Sequence, residues 1–287
     1  MRTITQIEDL RREVALLRES GARIALVPTM GALHEGHLTL VRRARKEADH
    51  VIASIFVNPT QFGANEDLDS YPRRMAEDAR ALDGEGVAIL WAPDVAEMYP
   101  AGFSTRVIVD NVSAEFCGAS RPGHFDGVGQ VVLKLFNQVQ PDIAVFGEKD
   151  WQQLAVIRRM ARDLDLTCPR AEAILGQETV READGLAMSS RNQYLDARER
   201  QAAATLPAAM REAIAAIEAG SAPQPTLAAL EAHLLQAGFA SVDYAALADA
   251  ASLERLEAPI EGPMRLMVAA RIGTTRLIDN MPVVMRT

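Results

Sequence analysis

Short apolar runs alternate with longer stretches of helical spacing over the first half of the chain. Residues 23–28 (RIALVP), 50–57 (HVIASIFV), 87–93 (VAILWAP), 104–109 (STRVIV) and 142–147 (DIAVFG) each have the length of a strand. Continuous apolar strands suit a parallel sheet covered on both faces. Between them, residues 38–48, 73–82, 128–139 and 152–164 carry helical spacing, and Ile7, Leu10, Val14 and Leu17 mark an amphipathic helix near the N-terminus. Strand and helix in repetition predict an α/β fold, a doubly wound, Rossmann-like parallel sheet with right-handed crossovers. In that architecture ligands bind at the carboxyl ends of the strands.

After about Gly176 the pattern changes. A polar stretch precedes Ala-rich helices at 196–220 and 226–238, then a strand at 242–247 and a hairpin over 265–279 that turns near Gly273. This predicts a second, smaller α+β domain, with the chain divided into 1–176 and 177–287. Apolar residues make up 48% and charged residues 24%, as in ordinary globular proteins. The net charge of −9 argues against a nucleic-acid partner, which favours a basic surface. No run approaches a membrane span and no signal peptide is visible, so a soluble cytoplasmic protein without a membrane partner is expected. Cys117 and Cys168 match no metal spacing and read as reduced thiols.

Four segments carry chemistry. In VPTMGALHEGH, a strand ends at Pro28, a loop runs through Met30, Gly31, Ala32 and Leu33, and His34-Glu35-Gly36-His37 opens a helix. Two imidazoles three apart share one side of the first turn, where free amides and the positive helix end favour phosphate. Gly36 lets a nucleotide approach the backbone, and a histidine there could stabilise charge developing on phosphate. The same pair also fits surface histidines at a helix start. Zinc fits less well, because the spacing is not HExxH and no third ligand is evident.

In VNPTQF, Asn58 and Gln61 follow the next strand, where amides can donate to and accept from a small hydroxy acid; an Asn-Pro turn is the plainer alternative. In FGEKDWQQ, Gly147 ends a strand, Glu148 follows, Lys149 can hold phosphate and Asp150 can bond a ribose or cap the helix that exposes Gln153. In MSSRN, Ser189, Ser190 and Arg191 could clamp a triphosphate, or the serines could cap a helix.

The HEGH turn, between strand and helix, resembles the HxGH motif of the nucleotidyltransferase superfamily. Together, PTMGALHEGH, FVNPTQF, RPGHF, FGEKD and MSSRN resemble the pantothenate synthetase (pantoate–β-alanine ligase) family in order and spacing, and ARIGTTRLIDN resembles its closing hairpin. The resemblance implies a coenzyme A pathway ligase in which (R)-pantoate attacks the α-phosphate of Mg²⁺-ATP and β-alanine then displaces AMP. It implies that Met30 to His37, Gly147 to Asp150, Val180, Met188, Ser189, Ser190 and Arg191 bind ATP. His37, His34, Lys149, Ser189, Ser190 and Arg191 then assist catalysis, with His37 stabilising phosphate charge, since adenylate formation needs no proton transfer. Gln61, Gln153 and Asn58 would serve pantoate and β-alanine, Asn58 by supporting Mg²⁺ or by orienting its loop. The resemblance implies an ATP/pantoate-binding domain at 1–176, a lid at 177–287 and a homodimer; metal ligands stay unassigned. Two segments depart from the family pattern, GQETVRE (176–182) and the Asp of GHFDG (123–127). Alternatives are another HxGH adenylyltransferase and a catalytically silent nucleotide-binding protein.

Overall fold

A computed structural model describes residues 1–63 and 66–285. They form two compact units, one of residues 1–110, 121–148 and 153–178, the other of 111–120, 149–152 and 179–287.

The chain runs β1 (Arg2–Ile4), α1 (Ile7–Glu19), β2 (Ile24–Thr29), α2 (Glu35–Glu47), β3 (His50–Ile55), α3 (Met75–Gly84), β4 (Ile89–Trp91) and α4 (Val95–Met98). Then follow α5 (Cys117–Ser120), α6 (His124–Val139), β5 (Ile143–Gly147), α7 (Trp151–Asp163) and β6 (Ile174–Gln177). All strands of the first unit pair in parallel, in the order β1-β4-β3-β2-β5-β6. The central strands are apolar on both faces because both are covered: Ala25, Val27, Val51 and Ala53 pack with Leu40, Val41 and Ala44 of α2. Chain order steps from β2 through β3 and β4 to one side and resumes with β5 and β6 on the other. The topological switch point therefore lies between β2 and β5.

One expected strand is absent. Residues 104–109 lack strand pairing, and Val107 and Val109 instead lay their side chains beside Gly129 of α6. Two strands escaped the pattern, β1 and β6, both at sheet edges, where a strand of three or four residues needs little apolar content.

The second unit carries α8 (Ala197–Ala203), α9 (Thr205–Glu218) and α10 (Pro223–Gln236) with an antiparallel sheet β7-β8-β9 (Ser241–Asp249, Met264–Ile272, Thr275–Val283). Leu277, Met281 and Val283 alternate along β9 and pack with Leu266, Val268, Leu206, Met210 and Ile217. The hairpin turns at Gly273, whose φ of +52° suits the tight connection. Among the described residues, no helix is long and apolar enough to cross a membrane.

Candidate active site

Three of the chemistry-bearing loops follow β3, β2 and β5, which are adjacent in the sheet and parallel. Their carboxyl ends lie along one edge, so Asn58, Met30 and Gly147 start from neighbouring positions flanking the switch point. None of this follows from sequence distance; the strand order produces it.

The loop after β2 is held from below. Thr29 Oγ1 donates to Ser54 O at 2.7 Å and accepts from Gly31 N at 3.2 Å. Gly31 and Ala32 both take positive φ, +83° and +51°. The carboxylate of Asp78, buried on α3, accepts from the amides of Ala32 and Leu33, both at 2.8 Å. A Cβ at Gly31 would stand 3.0 Å from that carboxylate and 3.2 Å from Ile55, so glycine is required twice over. Asp78 is a site residue that the motifs did not reveal. The available signal was an acid four residues before Leu82 on the buried stripe of a helix. Asp78→Asn replaces one acceptor with an amide facing an N–H, and the expected result is a loss of about 1–3 kcal/mol in urea unfolding. An unchanged unfolding midpoint would show that the loop does not depend on this carboxylate.

His34 and His37 form a reciprocal cap on α2. His34 Nδ1 accepts from Gly36 N at 3.1 Å, and His37 Nδ1 accepts from His34 N at 3.3 Å. Their rings are tilted, with centroids 4.1 Å apart. An imidazole nitrogen that accepts a backbone N–H carries no proton, so each neutral ring is protonated at Nε2. The cap thus turns both histidines into Nε2–H donors at a helix N-terminus. Glu35 differs: its exposed carboxylate pairs with Arg42, which also pairs with Glu85, so it has an electrostatic partner of its own on the surface.

Asn58 and Gln61 are buried together. Asn58 Nδ2 donates to Gln61 Oε1 at 3.1 Å and to Gly127 O at 3.0 Å. Its Oδ1 accepts from Thr60 Oγ1 and from Tyr99 Oη, both at 2.9 Å. Burial keeps the Tyr99 hydroxyl above its ordinary pKa and hence a donor. These bonds tie Asn58 to the Gln61 turn, to Tyr99 and to the α6 backbone. Gln61 Oε1 is taken by Asn58, and its Nε2 lies 3.2 Å from Met30 Sδ, so the amide is oriented with its donor toward the β2 loop.

Arg121 and His124 of the RPGHF segment brace the same glutamine from its backbone. Arg121 donates to both Glu66 oxygens at 2.6 Å, and its Nη1 lies 3.0 Å from His124 Nε2. His124 Nδ1 is 2.8 Å from Gln61 O. An arginine on one side and a carbonyl on the other fix this ring as the Nδ1–H tautomer. Burial would raise the Glu66 carboxyl, but the Arg121 hydrogen bonds outweigh it and hold the group below the usual carboxylate range.

Gly147 ends β5, and Glu148 lies against Gly176 of β6 so closely that a Cβ there would stand 2.8 Å from its Oε1. The adjoining glutamines differ: Gln152 is buried and ties Cys117 N, Val112 O and Glu115 O at 2.7–3.0 Å, whereas Gln153 is half-buried.

In the second unit, Lys149 and Asp150 form a loose pair, Nζ to Oδ2 3.9 Å. Residues 180–188 form a small hairpin in which Met188 N donates to Val180 O at 2.9 Å and Arg181 bridges Ala187. It delivers Ser189, whose hydroxyl accepts from Arg191 N at 3.2 Å and caps the 190–194 turn, with Ser190 and Arg191 half-buried beyond it. The capping alternative for Ser189 is therefore realised, and Ser190 and Arg191 carry the hydroxyl and guanidinium suited to phosphate. Among the described residues, no cluster of three or more His, Cys, Asp or Glu could hold a metal ion.

A parallel Rossmann-like sheet with a capped histidine pair and an oriented glutamine at its switch-point edge defines a nucleotide-using α/β enzyme. The family model for Pantoate-beta-alanine ligase matches residues 2–282. The chain is 64% identical to a pantothenate synthetase from Novosphingobium aromaticivorans over 283 residues, covering 99% of both chains. It is 62% identical to a pantothenate synthetase from Sphingopyxis alaskensis, covering 99% of this chain and 100% of that one. The crystal structure of a Thermus thermophilus pantothenate synthetase has a TM-score of 0.91 at 46% identity, with 99% of each chain covered. A Francisella tularensis pantoate-β-alanine ligase, complexed with β-γ ATP and β-alanine, has a TM-score of 0.82 at 32% identity, covering 98% of this chain and 97% of that one. The chain belongs to the pantoate–β-alanine ligase family, whose enzymes form pantothenate.

Proposed function

We propose that the chain joins (R)-pantoate to β-alanine in two steps through a pantoyl adenylate. A pantoate carboxylate oxygen attacks the α-phosphate of ATP, forming the acyl phosphate bond as pyrophosphate leaves. The β-alanine amine then attacks the acyl carbon, the C–O bond to AMP breaks, and the amine proton passes to solvent. A carboxylate becomes a usable electrophile only with such a leaving group, and the barrier lies in charge developing on phosphate. Positioning and electrostatic stabilisation are thus the main requirements.

The observation that carries this is the His34–His37 cap, which sets two Nε2–H donors at a helix N-terminus on the switch-point edge. In this assignment His34, His37 and the 30–37 loop bind the nucleotide with Gly147 to Asp150, Val180, Met188, Ser189, Ser190 and Arg191. Lys149, Ser190 and Arg191 stabilise phosphate charge. Gln61 and Gln153 bind pantoate, and Asn58 orients Gln61. Mg²⁺ enters with the nucleotide as part of the substrate, since it keeps phosphate and water ligands and needs few from protein. Residues 1–176 are the ATP/pantoate-binding domain, 177–287 act as a lid that adds the remaining nucleotide contacts, and the enzyme is a cytoplasmic homodimer.

Pantoate-dependent exchange of labelled pyrophosphate into ATP tests the proposal. Exchange is expected with pantoate and absent without it. Exchange independent of pantoate would indicate a different adenylyltransferase, and none at all a silent nucleotide binder; either result removes the proposal.

A further inference from the structure

Two adjacent residues near the end of the chain, Asp279 and Asn280 on β9, are buried, polar and unused by the chemistry above. Neighbours on a strand face opposite sides of the sheet, and here each side holds a different segment of the second unit.

Asp279 lies in the alternating stripe with Leu277, Met281 and Val283, which are core residues. Arg181 grips its carboxylate with two hydrogen bonds of 2.6 and 2.9 Å, and Arg181 also donates to Gly185 O at 3.0 Å. Arg181 therefore ties the hairpin that leads to Ser189, Ser190 and Arg191. An ion pair buried in an apolar stripe is seldom better for stability than an apolar pair of the same shape. What it does supply is a defined geometry.

On the other face, Asn280 Nδ2 donates to Lys149 O at 2.9 Å. Its Oδ1 accepts from Arg265, whose guanidinium stacks 3.5 Å from the Trp151 ring centroid. Trp151 in turn donates from Nε1 to Ala250 O at 2.8 Å. The Lys149-Asp150-Trp151 turn is thus fastened on both sides of Asp150, through the Lys149 carbonyl and the Trp151 ring.

Resting on the adenylate-forming activity proposed above, we infer that Asp279 and Asn280 are positioning residues that jointly set Lys149 and the Arg181 arm. One dipeptide on a rigid strand then fixes the spacing between two phosphate-handling segments. A misplacement of about 1 Å at such a site can cost on the order of 100-fold in rate.

The test uses the full chain and two isosteric variants, Asn280→Asp and Asp279→Asn, with Asn280→Ala beside them. Asn280→Asp keeps the shape and the Arg265 partner but turns an acceptor toward the Lys149 carbonyl. Expected are a pyrophosphate exchange rate roughly 10- to 100-fold lower, a raised KM for ATP, and a pantoate KM within about twofold of the parent, because Gln61 is held by other contacts. Asp279→Asn should show the same split. Wild-type kinetics in Asn280→Asp, or stability loss in the isosteric variants with unaltered ATP constants, overturns the positioning role. Wild-type protein is assayed first: if it lacks pantoate-dependent exchange, the proposed activity has failed. If it exchanges and the isosteric variants match it, only the inference has failed. Should Asn280→Ala not fold, the two isosteric variants decide.

Discussion

His37→Ala should lower turnover by roughly 100- to 1,000-fold, the range measured when a preorganised donor to developing negative charge is removed. That is about 2.7–4 kcal/mol of transition-state stabilisation. The accompanying structural loss is smaller. His37 supplies one half of a reciprocal cap through Nδ1, and N-terminal caps contribute about 0.5–2 kcal/mol. Two further variants separate the ring nitrogens. Gln places its amide where Nε2 stands and can donate, whereas Asn places its oxygen where Nδ1 stands and can only keep the cap. His37→Asn should therefore be stable and slow, and His37→Gln less well capped but faster. If Asn supports turnover as well as Gln, the Nε2–H donor is not what His37 contributes.

The same residues show what the sequence discloses and what it withholds. Periodicity marks the central strands β2, β3 and β5 and the helices α1, α2, α6 and α7, because strands buried on both faces and helices with one apolar stripe leave strong patterns. It misses β1 and β6, whose edge positions demand too few apolar residues to register. It also misreads residues 104–109, where valines pack on Gly129 of α6 instead of joining the sheet. Local hydrophobicity cannot distinguish those destinations. For the site, HEGH, NPTQ and EKD are visible as residue types at strand ends, since they are contiguous. Their supports are not contiguous. Asp78 reaches the 32–33 amides across 45 residues or more, Tyr99 reaches Asn58 across 41, and Asn280 reaches Lys149 across 131. Asp78 is a polar side chain on the buried stripe of its helix, and that conflict is the trace it leaves in the sequence; Tyr99, just past the end of α4, and Asn280, on the face of β9 opposite its core stripe, leave none. Asn58 shows what such contacts add: it sits near Gln61 in the motif, and its amide holds that glutamine and the α6 backbone.

Gly127→Ala is expected to have the largest effect on folding of any single methyl added to the first unit. Gly127 lies in the first turn of α6, and its carbonyl accepts from Asn58. A Cβ there would stand 2.6 Å from Gln61 N and closer still to the Thr60 carbonyl. Those are backbone atoms of a turn pinned by Asn58 Oδ1 and His124, so no flexible side chain can swing aside. Either α6 or the 59–61 turn must shift, and overpacking of this kind costs about 1–3 kcal/mol, occasionally more. At about 2–4 °C per kcal/mol for a chain of 150–250 residues, a fall of several degrees in Tm is expected. The shift also carries a kinetic consequence, because the displaced turn includes the glutamine assigned to pantoate. In whatever fraction folds, KM for pantoate should rise while KM for ATP changes little, the opposite split from Asn280→Asp. Gly123→Ala is the control: it adds the same atom one helical turn before the close approach, where nothing lies within 4 Å, though its φ of +80° makes some backbone strain unavoidable. If Gly127→Ala is no less stable than Gly123→Ala and binds pantoate normally, the contact between α6 and the Gln61 turn is not what orients the glutamine.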